Sequence, residues 1–588
     1  MKLSDYVIDF LASRGVNHIF EMTGGAITHL LDSAGARPDV ECVSVHHEQA
    51  AAFAAEAYAR TNGSLGAAMA TSGPGALNLL TGIGSCFFDS VPCLFITGQV
   101  NTFEFKFELP IRQLGFQETD IVGIAKPITK WAELVTDPGR IRFALEKAVH
   151  TAQKGRPGPV LLDLPMNVQR ADIDPERLES FYDSNEYREY ESALPVLDGR
   201  LVDQAMDLLI RADRPLMLVG GGVRASGAAE LARTFADFSG IPCVSSLLGL
   251  DAIPFDQKLS FGLIGSYGHR YSNLAVANCD VLLVIGSRLD TRQTGTRPET
   301  FARGAVVVHV DIDVAELNRK VKADLAIRCD AKAFLSALCD AAQSTEWPAY
   351  AAWHEALNGW RDRYPTRNPS VASDGIDPNL FMELLAERSS DGDIVCLDVG
   401  QHQMWASQSF RLRPGQRLLN AGGMGAMGFG LPAALGAAKA AVGSRVIAIL
   451  GDGGLQVNIQ ELDTVLRHRL PVKLFVMNNR HLGMVRQFQD MYFDGRHQST
   501  VVGYGCPDLV AIAQAYGWNA YRLDGWEAAD AVIAHALSQE GCVLVDVRLD
   551  LTTTVNPKLT VGRPLEDMSP FLERDELKRT MIIDPLDS

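Results

Sequence analysis

The sequence predicts an α/β protein of three doubly wound domains, each a parallel sheet covered by helices on both faces. Three observations carry that prediction. Short continuous apolar runs alternate with glycine turns and longer helical segments along nearly the whole chain, the pattern of strands buried on both faces. The chain has 588 residues, 47% of them hydrophobic, and single cores stop growing at roughly 250–300 residues. Two charged, strand-poor stretches, 171–195 and 347–378, break the rhythm and read as linkers between domains of about 190 residues each. The expected domains are 1–180, 195–345 and 375–588.

The first element is a helix, because Leu3, Tyr6, Val7, Phe10 and Leu11 share one helical face among charges; the pattern is globular and not that of a signal peptide. Strands follow at 66–71, 91–98 and 159–165, then at 215–222, 281–287 and 306–313, then at 394–400, 445–454, 472–479 and 542–547. Each is an apolar run of strand length closed by turn-forming residues. Composition narrows the function before any motif is read. A net charge of −17 without a local basic patch speaks against a nucleic-acid partner. No run approaches the ~18 apolar residues of a membrane span. The 10 cysteines include no C-x-x-C pair and no metal-ligand spacing; they read as free thiols in a reducing, cytoplasmic compartment.

The richest constellation is GDGGLQVNIQELDTVL, 451–466, followed by VKLFVMNNRHLGMVRQFQ, 472–489. A strand ends in Gly451, Asp452, Gly453 and Gly454, and Asn458 and Glu461 have N-cap and N3 spacing for the next helix. In open α/β sheets ligands bind at strand carboxyl ends. Glycines there let a diphosphate approach the backbone at the start of a helix. Asp452 is one hard oxygen ligand, the Asn478-Asn479 pair supplies an amide oxygen, and the His481 carbonyl lies close by. Such an oxygen set suits Mg²⁺ held jointly with phosphate oxygens. A plain glycine turn explains Gly-Asp-Gly alone, but not the second hard donor at the end of the following strand.

Gly-Asp-Gly followed by Asn-Asn resembles the thiamine diphosphate binding motif. Other blocks extend the resemblance over nearly the whole chain: HEQAAAFAAEAYAR (47–60), TSGPGALNLLTG (71–82), FITGQV (95–100), FQETDIVG (116–123), GRPGPVLLDLP (155–165), DVGQHQMWASQ (398–408) and GGMGAMGFGLPAALGA (422–437). They are similar, in order, to the acetohydroxyacid (acetolactate) synthase branch of the pyruvate oxidase-like enzymes. The resemblance implies a pyrimidine-binding, a central and a diphosphate-binding domain, in that order. It implies a carboligase that decarboxylates pyruvate or a related 2-keto acid and passes the acyl unit to a second carbonyl compound. Thiamine diphosphate and Mg²⁺ are the implied cofactors, and a homodimer or homotetramer the implied assembly.

The same resemblance assigns roles. Glu48 matches the glutamate that contacts the cofactor's pyrimidine and promotes removal of the thiazolium C2 proton; read without it, Glu48 is a helix-start carboxylate serving the dipole. Glu56 reads as structural. Met427 matches the wedge that bends the cofactor, with Gly423 and Met424 as backbone partners of the pyrimidine. Val399, Gly400, Gln401 and His402 match the segment over the diphosphate, where His402 pairs with phosphate or caps a surface turn. Asp452, Asn479 and His481 are the implied metal set, with Gly451, Gly453, Gly454, Gly483 and Met484 beside them. Phe116 and Gln117 match residues that reach the substrate space. His47 and His481 are given no proton-transfer role. In the central domain, Gly221, Gly222, Arg224, Arg288, Asp290, Asp311 and Asp330 resemble the segments that hold FAD, which is expected there over an empty or ADP-binding pocket; its role would be structural, since carboligation moves no net electrons.

Departures cluster at the acceptor pocket. Phe488 stands where the branched-chain synthases usually have Trp, and Met166 where they have Lys. Their FDDR reads Leu289-Asp290-Thr291-Arg292, keeping the arginine that meets the second keto acid's carboxylate. Their GMHG reads Gly265-Ser266-Tyr267-Gly268, and the Phe-rich segment 100–115 is longer than usual. Alternatives therefore stand beside ordinary acetolactate synthesis. One is transfer to a keto-sugar nucleotide or diketone, another simple decarboxylation or oxidation of the 2-keto acid, and a third a non-catalytic cofactor-binding regulator, which would have no need of Glu48.

Overall fold

The computed structural model describes residues 1–255, 258–366 and 375–586; residues 367–374 of the second expected linker lie outside the described residues. Three six-stranded sheets are present, and every pairing within them is parallel. The first holds β1 (His18–Met22), β2 (Glu41–Ser44), β3 (Gly66–Ala70), β4 (Cys93–Gln99), β5 (Trp131–Leu134) and β6 (Val160–Pro165), in the order β2-β1-β3-β4-β6-β5. The second holds β7 (Pro215–Val219), β8 (Cys243–Ser245), β9 (Ser260–Leu263), β10 (Val281–Ile285), β11 (Val306–Asp311) and β12 (Leu325–Arg328), in the order β12-β11-β10-β7-β8-β9. The third holds β13 (Ile394–Leu397), β14 (Arg417–Asn420), β15 (Val446–Gly451), β16 (Val472–Asn478), β17 (Asn519–Leu523) and β18 (Val543–Arg548), in the order β14-β13-β15-β16-β18-β17.

Each of the ten expected runs carries a strand. Those not anticipated are mostly edge strands or short ones. The edge strands β2, β5, β12, β14 and β17 are partly exposed and carry charged or polar residues, so a search for continuous apolar runs passes over them. The interior strand β8 has only three residues.

The opening helix, Leu3–Ser13, buries Leu3, Val7, Phe10 and Leu11. The helix Glu48–Asn62 is buried on all sides and alanine-rich, which lets it lie against the third sheet's helix Gly430–Ala440. The approach is close enough that a Cβ on Gly436 would stand 2.0 Å from the Ala54 carbonyl oxygen, and Phe53 meets Phe429 edge-on at 5.4 Å. First and third sheets thereby share one apolar core. The second sheet has a core of its own.

Both expected linkers require correction. In the first, Ser180 Oγ and the Phe181 N–H donate to buried Glu146 at 2.6 and 2.8 Å, and Phe181 packs under His150 and Tyr187. The charged residues of 171–195 cover the first domain and do not tether it loosely. In the second, the helix Ala351–Arg363 buries Trp353, Leu357 and Trp360 in the second sheet's core, and Trp353 Nε1 donates to the Pro215 carbonyl at 2.9 Å. The chain then returns after the third sheet: Leu559, Leu565, Leu577 and Met581 pack into the second sheet's core. Among the described residues no helix is long and apolar enough to cross a membrane, and the cysteines are free.

Candidate active site

In the third sheet β13, β15 and β16 are neighbours, so the loops after them converge: 398–403, 451–454 and 478–484. Asp398 ends β13, fully buried, and accepts from the N–H groups of Val399 (2.5 Å), Gly428 (3.0 Å) and Gly430 (3.2 Å). Burial pushes its carboxyl up to about 6, against the pull of those donors. It fastens the 422–430 loop over the strand ends. Gly428 is at φ +86°, and a Cβ there would meet Val457 Cγ1 at 2.5 Å, so only glycine fits. The same loop is held from the first domain by Asp89, which accepts from the Gly422 and Gly423 N–H groups at 2.8 and 2.6 Å. Met424 and Met427 remain substantially exposed. Asp398 and Asp89 were both missed in the sequence; each is one carboxylate in an apolar run, and only the partners' positions give it meaning.

His402 lies behind Gly451, where an added Cβ would stand 2.9 Å from its Nδ1. Burial pushes its imidazole down to about 3, with a bond to the Asp398 backbone opposing. Its Nε2 is buried without a hydrogen-bond partner. A buried ring nitrogen without a partner is what a ligand oxygen satisfies, and an anion there favours the charged ring with both nitrogens donating.

Asp452 opens the short helix Asp452–Val457, buried, and accepts from Tyr504 Oη at 2.6 Å. Burial raises its carboxyl to about 6, and the Tyr504 bond opposes the rise. Tyr504 had no motif to mark it in the sequence. The expected N-cap role of Asn458 is corrected: the next helix is Glu461–Arg467 with Gln460 at its N-cap. Asn458 Nδ2 donates instead to the Gly428 carbonyl at 2.8 Å, and Glu461 accepts from the His46 N–H at 3.0 Å. Both side chains are drawn to other domains' or loops' backbone, so local spacing misled.

The two asparagines divide their work. Asn478 Nδ2 donates to Asp546 at 2.7 Å inside the sheet. Asn479 Nδ2 donates to Gln401 Oε1 at 3.0 Å, leaving its oxygen turned to the His481 N–H at 3.4 Å. Gln401 also donates to Gln487 at 3.1 Å, so its side chain spans β13 and β16 and is taken up by protein partners. Gly483, at the start of helix Gly483–Tyr492, admits Gln401: a Cβ would lie 1.9 Å from its Oε1. Met484 is half-buried beside it. Burial, with Arg486 next to it, lowers His481 to about 4. Among the described residues no three His, Cys, Asp or Glu side chains group as a metal site. The donors on offer are one carboxylate with amide and main-chain oxygens, a set that Mg²⁺ accepts when phosphate oxygens and water complete its octahedron.

Glu48 is the first residue of its helix, 7% exposed, and its Oε2 accepts from Asn78 Nδ2 at 2.9 Å. His47 caps the same helix through Nδ1. Glu56 is fully buried and pushed up to about 7 by burial, next to Arg60. Phe116 is 85% exposed, Gln117 sits at φ +65°, and Met166 opens the short helix after β6. Among the described residues no hydrogen bond or ion pair joins Glu48, Phe116, Gln117 or Met166 to the converging loops of the third sheet.

A cavity of about 630 Å³ opens between the domains, lined by Gly221, Gly222, Arg288, Asp290, Asp311 and Asp330 among others, and reaching Val399 and Met424. Burial raises Asp311 to about 6. Asp330 also caps the helix Ala331–Ala342. Arg224 does not join them: its guanidinium is held by Asp251, Nε to Oδ1 at 3.2 Å. Arg156, unremarked in the sequence, stands at the cavity instead, paired with Asp313 and Glu316 at 3.0 and 2.9 Å. Arg292 lines the same cavity and lies 5.7 Å over the Tyr267 ring. Lys558 joins this group, 5.9 Å over Tyr267 and 5.6 Å over Phe488. Met166 does not.

Residues 1–124, 202–338 and 398–547 match the families described as "Thiamine pyrophosphate enzyme" N-terminal TPP binding domain, central domain and C-terminal TPP binding domain. The chain is 38% identical over 580 residues to the acetolactate synthase large subunit of Parasynechococcus marenigrum, covering 97% of this chain and 91% of that one. It is 37% identical to the chloroplastic acetolactate synthase 2 of Nicotiana tabacum, covering 96% and 85%. It is 36% identical to the acetolactate synthase isozyme 2 large subunit of Escherichia coli, covering 97% and 99%.

Proposed function

The chain belongs to the acetolactate synthase family of thiamine pyrophosphate enzymes, and from that premise we propose how its own residues carry out a carboligation. It is a thiamine diphosphate-dependent enzyme that forms a carbon–carbon bond: a 2-keto acid such as pyruvate is decarboxylated and its acyl unit transferred to a second carbonyl compound. The observation that carries the reading is the buried His402 ring, set behind Gly451 with its Nε2 left without a partner, at the strand ends that also present Asp452 and Asn479.

Bound there, thiamine diphosphate supplies the carbon nucleophile. His402 and the backbone of Gly451, Gly453, Gly454 and Gly483 hold its diphosphate, while Val399, Gly400, Gln401 and Met484 wall the site. Asp452, the Asn479 amide oxygen and the His481 carbonyl hold Mg²⁺, with Tyr504 orienting the Asp452 carboxylate. Met427, held by the Asp398-bound loop, is the wedge, and Gly423 and Met424 present backbone to the pyrimidine. With the Gly423 N–H committed to Asp89, its carbonyl is the free group. Glu48 shares a proton with the pyrimidine ring. A buried carboxylate with one side-chain donor, Asn78, has acceptor capacity left for that bond. FAD, or an adenine nucleotide, occupies the cavity on the central domain. A volume of about 630 Å³ lies within the usual range for bound small molecules, and Arg156, not Arg224, stands at its wall. Free thiols support a reducing, cytoplasmic setting.

Among the described residues no hydrogen bond or ion pair joins Glu48, Phe116 or Gln117 to the strand-end loops of the same chain, which supports an active unit of at least a dimer, in which the first domain of one copy covers the third domain of the other. Light scattering at assay concentration is expected to show a dimer or tetramer carrying the activity; an active monomer defeats this arrangement.

A wider acceptor is favoured by one observation: Phe488 is 41% exposed and lacks the breadth and N–H of the indole usual at its place. The expected result is weak discrimination between 2-ketobutyrate and pyruvate, within the 10–200-fold range that one methylene commands, and measurable transfer to a diketone or keto-sugar. NMR product analysis with labelled pyruvate and an acceptor panel tests this, and Phe488→Trp is expected to shift preference towards 2-ketobutyrate. Strong wild-type preference for 2-ketobutyrate with no neutral acceptor used returns the chain to ordinary acetohydroxyacid synthesis. Carbon dioxide without any ligation product favours a simple decarboxylase.

A further inference from the structure

The returning C-terminal segment brings a lysine into the acceptor region that no motif marks. Lys558 is 6% exposed and is fixed by its backbone. It pairs with Ser569 in a short antiparallel ladder, and the next residue, Leu559, donates its N–H to the Ser266 carbonyl at 2.8 Å and packs on Gly295. These contacts set the lysine against the loop bearing Tyr267 and the helix bearing Phe488. Its ammonium lies over both rings. Among the described residues it makes no hydrogen bond and no ion pair.

Arg292 shares the Tyr267 ring and is likewise without an ion-pair partner among the described residues. The adjacent carboxylate, Asp290, is occupied by Arg288 and by the Arg292 backbone N–H. Burial and the nearby Arg292 charge lower the lysine's proton affinity, as expected of two cations sharing a site without a counter-charge. Buried charges are normally paired, and aromatic faces supply only part of what water would. One buried, unpaired ammonium, set against the same ring as the exposed Arg292 guanidinium, describes a site whose missing member is an anion.

We propose that Lys558 is an acceptor-binding residue which, with Arg292, selects an acceptor carrying a carboxylate or phosphate group. This rests on the reading of the chain as a carboligase with its acceptor pocket at Arg292 and Phe488. It narrows that reading, because the cation absent at Met166 has a counterpart at position 558: the pocket is reshaped by Phe488 and Thr291 but remains an anion pocket.

The test uses the cofactor-loaded wild-type enzyme with Lys558→Met, which keeps the apolar stem, and Lys558→Arg, which keeps the charge. Calorimetry with 2-ketobutyrate and, separately, dihydroxyacetone phosphate is expected to show affinity falling about tenfold or more in Lys558→Met, the span of one charge-assisted bond, and recovering in Lys558→Arg. The ligand that loses more distinguishes phosphate from carboxylate recognition. Kinetically, kcat/KM for 2-ketobutyrate relative to neutral diacetyl is expected to fall by a similar factor, mainly through KM. Equal anion affinity in wild type and Lys558→Met, with unchanged melting temperature, overturns the proposal. Failure of the wild type to release carbon dioxide from pyruvate instead removes the carboligase reading, while the calorimetric comparison still decides the anion site.

Discussion

Glu48→Gln is expected to reduce turnover by about 10²–10⁴-fold, the usual contribution of a positioned proton-transfer group, while the protein folds and retains thiamine diphosphate. The structure explains why the substitution is clean. Glu48 opens the buried helix Glu48–Asn62, and its side chain is held by Asn78 Nδ2; a glutamine oxygen accepts that bond equally well. Its removal deletes a charge and a proton-sharing site but no packing volume. Proton exchange at C2 of the bound cofactor, followed by NMR, is expected to slow by the same factor as turnover. A variant that turns over pyruvate at the wild-type rate removes Glu48 from the chemistry.

Loss of the metal set is expected to act on cofactor retention. Asp452→Ala deletes the one carboxylate of the set and leaves Tyr504 Oη without its acceptor; Asn479→Ala deletes the amide oxygen and the donor to Gln401. Losing even an outer partner of a metal site typically costs 10–100-fold in affinity, so thiamine diphosphate affinity in Mg²⁺ is expected to fall by at least about that range. Excess Mg²⁺ restores it only in part, because a coordination corner is gone. Asp452→Asn, which still accepts from Tyr504, separates the charge from the packing. Calorimetry giving unchanged affinity in both alanine variants rules the metal site out.

Much of this was legible in the sequence because it is local. A strand buried on both faces must be apolar throughout, so β3, β4, β6, β7, β10, β11, β13, β15, β16 and β18 announced themselves. Partly exposed edges such as β12 and β17 did not, since one side of an edge faces water and takes charged residues. The strand-end groups Asp452 and Asn479 were readable because glycine turns and hard-oxygen donors sit at fixed distances from strands that are themselves readable; His402 was marked only by the resemblance of its segment to the family's. The linkers were misread for the complementary reason: charge describes the outer face of 171–195 and 347–366, whereas Phe181, Trp353 and Trp360 on their inner faces belong to cores built from distant segments.

The sequence by itself determined the fold class, the order of the sheets along the chain and the residues at the ends of the third sheet's strands, because periodicity and turn chemistry act over a few residues. Tertiary structure alone decided which polar side chains remain free. Asp89 reaching Gly423, Arg224 turned to Asp251, Gln401 absorbed by Asn479 and Gln487, His402 left with an unpartnered nitrogen, and Lys558 carried back to the ring that Arg292 shares are all set by neighbours distant in sequence. A hydrogen bond or a desolvated charge depends on what lies within about 3–4 Å in space, and no local pattern encodes that neighbour.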